Sequence, residues 1–281
     1  MALSWQTRRF LRHSLLMLFC TLVVMGCLFP FYWAVVSSFK VGSEIFSTDL
    51  LPNRLNFCNY FNVLQTAGFG KSLANSAVVA IATVVVVSLL ALFAAYPMSR
   101  MNFKGKKRLL FFILSATMFP QVAVLFGMFE LLRFFDLYNS REGLVLSYMI
   151  LTLPFTVWVL SSFMRQIPKE IEEAAIMDGA SKLTILFRIF FPIMRPSMVT
   201  TGLMAFITSW NEFLFALTFS LTGKARTVPV AIALLSGAGQ HEIPWGNIMA
   251  ASVIVTIPLI LLVVFFQRRI ISGLTYGAIK G

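Results

Sequence analysis

The chain has 281 residues, of which 58% are hydrophobic and 12% are charged, and its mean hydropathy is +0.84. This composition excludes a soluble globular protein of this length and indicates an integral membrane protein. The formal net charge of +12 does not indicate a nucleic-acid-binding protein, because the basic residues occupy short segments between apolar runs instead of one soluble face.

Six apolar runs follow one another along the chain, and each is long enough to cross a bilayer as a helix, which takes about 20 residues. Glu212 is the only charged residue within them. The sequence therefore predicts an all-α, polytopic membrane protein that forms one transmembrane domain over residues 1–281. The predicted spans are Ser14–Val36, Leu73–Ser99, Leu109–Phe129, Gly143–Met164, Ser197–Phe219 and Asn247–Gln267. The prolines in or near them predict kinks and not breaks; they are Pro30, Pro97, Pro120, Pro154 and Pro258.

The loops between these spans carry unequal numbers of basic residues. If the N-terminus is cytoplasmic, the inner segments hold 16 of the 23 Lys and Arg residues, and the outer segments hold the other 7. Inner loops of membrane proteins carry an excess of Lys and Arg, so this bias predicts that both termini are cytoplasmic. The polar segment between the fourth and fifth spans, residues 168–192, then faces the cytoplasm as well.

The first half of this polar insert has the features of a helix start. Pro168 suits a first helical position, where its missing N–H group costs nothing. Ala174 and Ala175 give the helix a small-residue surface that another backbone can approach closely. Three acidic residues occupy the first turns, where the helix dipole favours anions; they are Glu170, Glu172 and Glu173.

The second half of the insert begins with a turn. Asp178 and Gly179 form a strong turn signal, Ser181 is placed to cap a second helix, and Pro192 is expected to end it. We therefore predict a cytoplasmic helix-turn-helix over residues 168–192. The alternative is an amphipathic loop on the bilayer surface, which explains the second helix but not an acidic first helix facing anionic lipid. The acidic helix favours docking in a groove of a cytoplasmic partner.

The sequence predicts neither a catalytic constellation nor a metal site. The fragment "GKS" at Gly70–Ser72 ends like a phosphate-binding loop, but Gln65 stands where that loop needs its first glycine. His13 and His241 are far apart in the sequence, and solvation is the simplest interpretation of both. We expect no metal and no ATP site on this chain.

Glu212 is the intramembrane residue that most needs an explanation. A carboxylate at the centre of a bilayer costs about 2.5 to 3.5 kcal/mol, so it is expected to face protein or a water-filled cavity. Thr208 lies four residues before it, on the same face of a continuous helix, Asn211 is adjacent, and Gln121 follows the proline of the third span. These four residues form a polar translocation path for a hydroxylated substrate, a buried polar network that locks helices together, or a site near the outer membrane interface.

The insert also carries a motif that resembles the permease subunits of binding-protein-dependent ABC importers. That motif reads Glu-Ala-Ala, three residues, Gly, nine residues, Ile, one residue, Leu-Pro. The matching positions of this chain are Glu173, Ala174, Ala175, Gly179, Ile189 and Pro192. Phe191 replaces the leucine. The segments "SWNEFLFAL" (residues 209–217) and "SGLTYGAIKG" (residues 272–281) resemble the sugar-importing branch that includes the maltose-type inner-membrane permease.

This resemblance implies a complex in the bacterial inner membrane. Its parts would be this chain, a second homologous permease, two cytoplasmic ATPase subunits that hold ATP and Mg²⁺, and an extracytoplasmic binding protein that delivers a sugar. The implied ATPase-coupling residues are Glu173, Ala174, Ala175, Asp178, Gly179, Ile189 and Pro192. The alternatives are an ABC permease for a polyol or glycerol phosphate and an ion-coupled secondary transporter, which more often shows internal repeats and several intramembrane charges.

Overall fold

A computed structural model describes residues 5–236 and 243–278, with side chains from residue 12 to residue 267. His241 and the last three residues of the C-terminal tail lie outside the described residues. The described backbone is helical with connecting turns and contains no strand, which confirms the all-α prediction. In chain order the α-helices are α1 (Trp5–Phe39), α2 (Cys58–Gln65), α3 (Phe69–Arg100), α4 (Lys106–Ser115), α5 (Gln121–Phe134), α6 (Arg141–Gln166), α7 (Lys169–Met177), α8 (Lys182–Thr184), α9 (Phe191–Asn211), α10 (Leu214–Phe219), α11 (Val228–Leu235) and α12 (Trp245–Ala278).

Five of the predicted spans correspond to helices that are long and apolar enough to cross a membrane. Their membrane-compatible segments are Arg12–Phe39, Phe69–Arg100, Arg141–Gln166, Lys182–Asn211 and Trp245–Gln267. The protein is therefore a multi-pass membrane protein. A count of six requires the bent pair α4–α5 to serve as one span, and six remains a prediction.

The predicted third span is not one straight helix. Its two halves, Lys106–Met118 and Gln121–Phe134, meet at an angle of 99°. Phe119 is extended, with φ −70° and ψ 132°, because the ring of a following proline disfavours helical backbone. The expectation of a kink was wrong at Pro120, where the helix breaks, whereas Pro97 and Pro154 lie inside continuous helices.

The chain divides into two compact units, of which the first comprises residues 1–67 and 232–257. In this unit α1 is followed by a 3₁₀ turn over Gly42–Phe46 and by α2. The Ser38 hydroxyl lies 2.6 Å from the Tyr60 hydroxyl, and the rings of Phe39 and Phe57 meet edge to face at 5.2 Å. These contacts attach α2 to the end of α1.

The second unit comprises residues 68–231 and 258–281. Its centre is formed by α3, α6 and α9, which pack on one another. One apolar cluster joins these three helices to the insert, and another joins α5, α6 and α10. The insert packs in the first cluster, and the residues that follow Glu212 pack in the second.

Candidate functional site

The first candidate site is the insert between α6 and α9. Helix α7 begins at Lys169, with Pro168 just outside it, and ends at Met177. Gly179 has a φ of +76°, a conformation that glycine adopts far more readily than residues with a side chain. The Ser181 hydroxyl then accepts a hydrogen bond of 3.2 Å from the Thr184 amide, so it caps α8.

The second helix of the insert does not end before Pro192, contrary to the prediction. It continues from α8 through a π turn at Ile185–Phe190 into α9. The Phe191 amide donates to the Leu186 carbonyl, five residues back. The proline ring would clash with the Arg188 carbonyl in a regular α-helix, and we attribute its tolerance to the wider π turn just before it.

Glu172 attaches the insert to the membrane helices. Its Oε1 accepts a hydrogen bond of 2.7 Å from the Tyr96 hydroxyl, and its Oε2 lies 3.5 Å from Arg100 Nε. The side chain of Arg100 is 4% exposed and that of Glu172 is 14% exposed, so this ion pair is largely shielded from water. Tyr96 and Arg100 both belong to the end of α3, which therefore holds α7 through one carboxylate.

Arg100 also ties the end of α6 to the same point. Its Nη2 donates to the carbonyls of Met164 and Ile167, at 2.8 and 2.7 Å. Its guanidinium lies 4.9 Å from the centre of the Phe190 ring, a cation–π distance. The side chain of Arg100, at the end of α3, thus contacts the α6 terminus, the π turn and α7.

Ala175 is buried within this chain. It is 7% exposed and packs in the apolar cluster with Ile185, Leu186 and Phe190 of the π turn. The prediction of an Ala174–Ala175 docking surface is therefore corrected for Ala175, whose methyl group this chain already covers. Ala174 is exposed.

The tip of the insert presents apolar side chains to the outside. Met177 is 88% exposed, Leu183 61% and Ile176 56%. Of the remaining motif residues, Glu173, Asp178 and Pro192 are also exposed, while Ile189 is partly buried against the apolar cluster. A solvent-facing apolar tip on a firmly anchored turn is suited to insertion into a groove on another protein.

The second candidate site surrounds Glu212. Helix α9 ends at Asn211, and α10 begins at Leu214, so Glu212 lies in a break and not on a continuous helical face with Thr208. Its Oε1 accepts from the Phe215 amide at 2.8 Å, and its Oε2 accepts from the Ala216 amide at 3.0 Å. The carboxylate therefore caps α10, which explains a break that no proline signals.

Gln121 completes this cap from another helix. Its Nε2 donates to Glu212 Oε1 at 2.6 Å, so the start of α5 is joined to the start of α10. Glu212 is 6% exposed. Thr208 and Asn211 are not part of this network: both are exposed, and the Asn211 amide group donates to the Ile207 carbonyl of its own helix at 2.9 Å. The structure thus joins two of the four predicted path residues.

The contacts of Tyr96 and Arg100 with the insert were not predicted from the sequence. Arg100 was counted as one of many basic residues at a cytoplasmic helix end, and Tyr96 was counted as part of an apolar run. The available signal was a Tyr and an Arg four residues apart, on one helix face at the end of a span and on the side of the membrane predicted for the acidic segment. Across the described residues, no three His, Cys, Asp or Glu side chains are grouped as a metal site would require.

The fold and the insert together define a multi-pass helical protein whose polar insert is joined to α3 by an ion pair and a hydrogen bond. Residues 87–276 match the family described as "binding-protein-dependent transport system inner membrane component". The chain belongs to this family.

Relatives of known name match nearly the whole chain. The trehalose/maltose transport system permease protein MalG of Thermococcus litoralis is 41% identical over 96% of this chain and 98% of its own length. The trehalose transport system permease protein SugB of Mycobacterium tuberculosis is 38% identical over 93% of this chain and 95% of its own length. A chain of a bacterial ABC transporter that imports alginate shares the fold, with a TM-score of 0.79 and 22% identity over 95% of this chain and 99% of its own.

Proposed function

We propose that this protein is the permease subunit of an ATP-driven importer that moves a sugar from an extracytoplasmic binding protein into the cytoplasm. Family membership supports the dependence on a binding protein. The names of the relatives, which carry trehalose, maltose and diacetylchitobiose, favour a mono- or oligosaccharide over a polyol phosphate. ATP and Mg²⁺ then belong to two partner ATPase subunits, and a second homologous permease completes the membrane part.

The insert, residues 168–192, is the part that we assign to ATPase coupling. The observation that carries this assignment is the combination of an exposed apolar tip at Met177 and Leu183 with the buried attachment of Glu172 to α3. A partner that moves the tip would move α3 and α6 with it, because Arg100 joins both helices to α7. Rigid-body transmission of this kind switches transporters between inward-open and outward-open states.

Within the membrane we assign different roles to the four polar residues. Thr208 and Asn211 are exposed on α9 and are candidates for the translocation path. Gln121 and Glu212 fix the break between α9 and α10 and thereby position that path. Both termini are placed in the cytoplasm, in keeping with the excess of basic residues on that side.

The test is reconstitution of the complete complex. The tagged chain should copurify with a second permease and an ATPase when the three are coexpressed. In liposomes, ATP hydrolysis should rise when the binding protein and its sugar are added, with trehalose and maltose as the first probes. Uptake by the chain without any ATPase subunit would contradict the proposal and favour an ion-coupled transporter.

A further inference from the structure

The first unit contains a pocket of about 730 Å³ that the proposed function does not use. Its walls come from the chain after α1, from α2 and from the start of α12. The lining residues are Lys40, Val41, Gly42, Ser43, Ile45, Phe46, Asn59, Asn62, Ile243, Pro244, Trp245, Gly246 and Asn247. Small-molecule sites in proteins commonly have volumes of about 300 to 1,000 Å³, so the pocket has room for a ligand of disaccharide size.

Lys40 fixes one wall of this pocket. It is fully buried, and its ammonium group donates to the Ser47 carbonyl at 3.2 Å, the Ser47 hydroxyl at 3.2 Å and the Asp49 carbonyl at 2.7 Å. The same group lies 4.8 Å from the centre of the Trp33 ring. Because an ammonium group has three N–H donors, all of its hydrogen-bonding capacity is used within the chain.

Asn59 fixes the backbone beside Lys40. Its Nδ2 donates to the carbonyls of Ser38 and Lys40, both at 2.9 Å. Gly246 packs directly on this amide, and a Cβ atom at Gly246 would lie 2.5 Å from Asn59 Nδ2. The start of α12 therefore lies close against α2, and a larger residue at Gly246 would have to displace the Asn59 amide and its two hydrogen bonds.

The groups that remain exposed in the pocket are uncharged. Trp245 is 43% exposed, Asn62 and Ser43 are exposed, and Asn247 is partly exposed. Among the described residues of the lining, Lys40 is the one charged side chain, and its donors are already occupied. The pocket is therefore poorly suited to a phosphate or carboxylate, and its amides, hydroxyl and indole ring match a neutral ligand with many hydroxyl groups.

We propose that this pocket binds a neutral pyranose unit of the transported sugar, with the apolar face of the ring on Trp245 and its hydroxyl groups on Asn62, Asn247 and Ser43. The inference rests on the proposed function, since it takes the sugar as substrate. In the proposed topology the pocket opens on the extracytoplasmic side, where the binding protein releases its ligand. The chain would then contact the sugar before the membrane path.

The experiment measures binding of radiolabelled trehalose and maltose to the detergent-solubilised complex of both permeases and the ATPase, with no binding protein present. Trp245→Ala is expected to weaken binding of the accepted sugar roughly tenfold or more, whereas Trp245→Phe keeps a flat apolar ring and should retain most of it. Trp158→Ala is the matched control, because Trp158 is similarly exposed, at 40%, but lies on α6 in the other unit. Complex yield and gel-filtration profile show that each variant is assembled.

Four results would overturn the inference. Equal sugar binding by Trp245→Ala and the wild-type complex would show that the sugar does not use this pocket. Unchanged sugar binding with weaker stimulation by the binding protein would assign the surface to protein docking. Sugar uptake by the wild-type complex without direct binding would reject the pocket and leave the proposed function intact, whereas absence of both binding and uptake of either sugar would reject the proposed function as well.

Discussion

Two shielded carboxylates of this protein, Glu172 in the insert and Glu212 between α9 and α10, are held in opposite ways. Glu172 has a counter-ion, Arg100, and a hydroxyl donor, Tyr96, both on a different helix. Glu212 accepts two backbone amides of the helix that follows it and one side-chain amide, all of them neutral.

The difference indicates different roles. The partners of Glu212 are chiefly its own local backbone, so its interaction defines the shape of one helix break. The partners of Glu172 lie on α3, so its interaction joins two separate helices. We therefore expect loss of Glu212 to harm folding and loss of Glu172 to harm energy coupling.

The largest effect is expected from Glu212→Ala. It leaves the Phe215 and Ala216 amides, which are buried, and the partly buried Gln121 side chain without their acceptor. Each buried donor left unsatisfied costs about 1 to 3 kcal/mol. The yield of assembled complex and its thermal unfolding temperature should fall sharply. Glu212→Gln, which keeps one acceptor oxygen, should fall between this variant and wild type. Normal yield with lost uptake would instead place the carboxylate in the translocation path.

Gly179→Val should abolish transport while leaving the complex assembled. A valine at a φ of +76° costs about 1 to 2 kcal/mol or more, and its rigid side chain disfavours this turn further. A Cβ atom at this position meets nothing within 4 Å, so the effect is one of backbone conformation alone. Gly179→Asn, which tolerates this conformation, should keep substantial uptake. Equal activity of both variants would reject the turn as a requirement.

Tyr96→Phe should have an intermediate effect. It removes one hydrogen bond to Glu172 but keeps the Arg100 ion pair, so we expect a decrease of roughly twofold to fivefold in uptake at normal complex yield. Ser99→Ala is the control, because the Ser99 hydroxyl at the same end of α3 bonds only to carbonyls of its own helix. A larger loss in Ser99→Ala would show that the helix end and not the Glu172 contact matters.

Cysteine labelling compares two neighbouring positions of the insert, at substitutions that should change transport least. After the three native cysteines are replaced, Ala174→Cys should react with a membrane-impermeant maleimide in inside-out vesicles roughly tenfold faster than Ala175→Cys, since only Ala174 is exposed. Labelling of Ala174→Cys from the outside of intact cells would contradict the cytoplasmic placement of the insert.

The helical class, five long spans and the turn at Gly179 were predictable, because they follow from apolar run length and from single-residue backbone preferences. The break at Glu212 was not, because its cause is a side chain that caps the next helix and no proline or glycine marks it. The passage through Pro192 was missed for a similar reason: the ring is accommodated by a π turn that local sequence does not reveal.

The contacts of Glu172 with α3 could not be predicted from the sequence either. Glu170, Glu172 and Glu173 are equivalent as helix-dipole partners, and only the packing of α7 on α3 selects the middle one for Arg100. The same packing turns Ala175 inward and leaves Ala174 outside. Residue spacing along a short helix is predictable, but the face that meets a distant helix is a tertiary property.

We propose that Glu172 couples the insert to the membrane helices, and the direct measurement of this coupling is the number of sugar molecules moved per ATP hydrolysed in liposomes. Glu172→Gln should keep ATP hydrolysis but lower this ratio severalfold, because the Arg100 ion pair is lost. Glu173→Gln, which changes an exposed neighbour, should keep the wild-type ratio. A wild-type ratio in Glu172→Gln, or an equal decrease in both variants, would contradict the account.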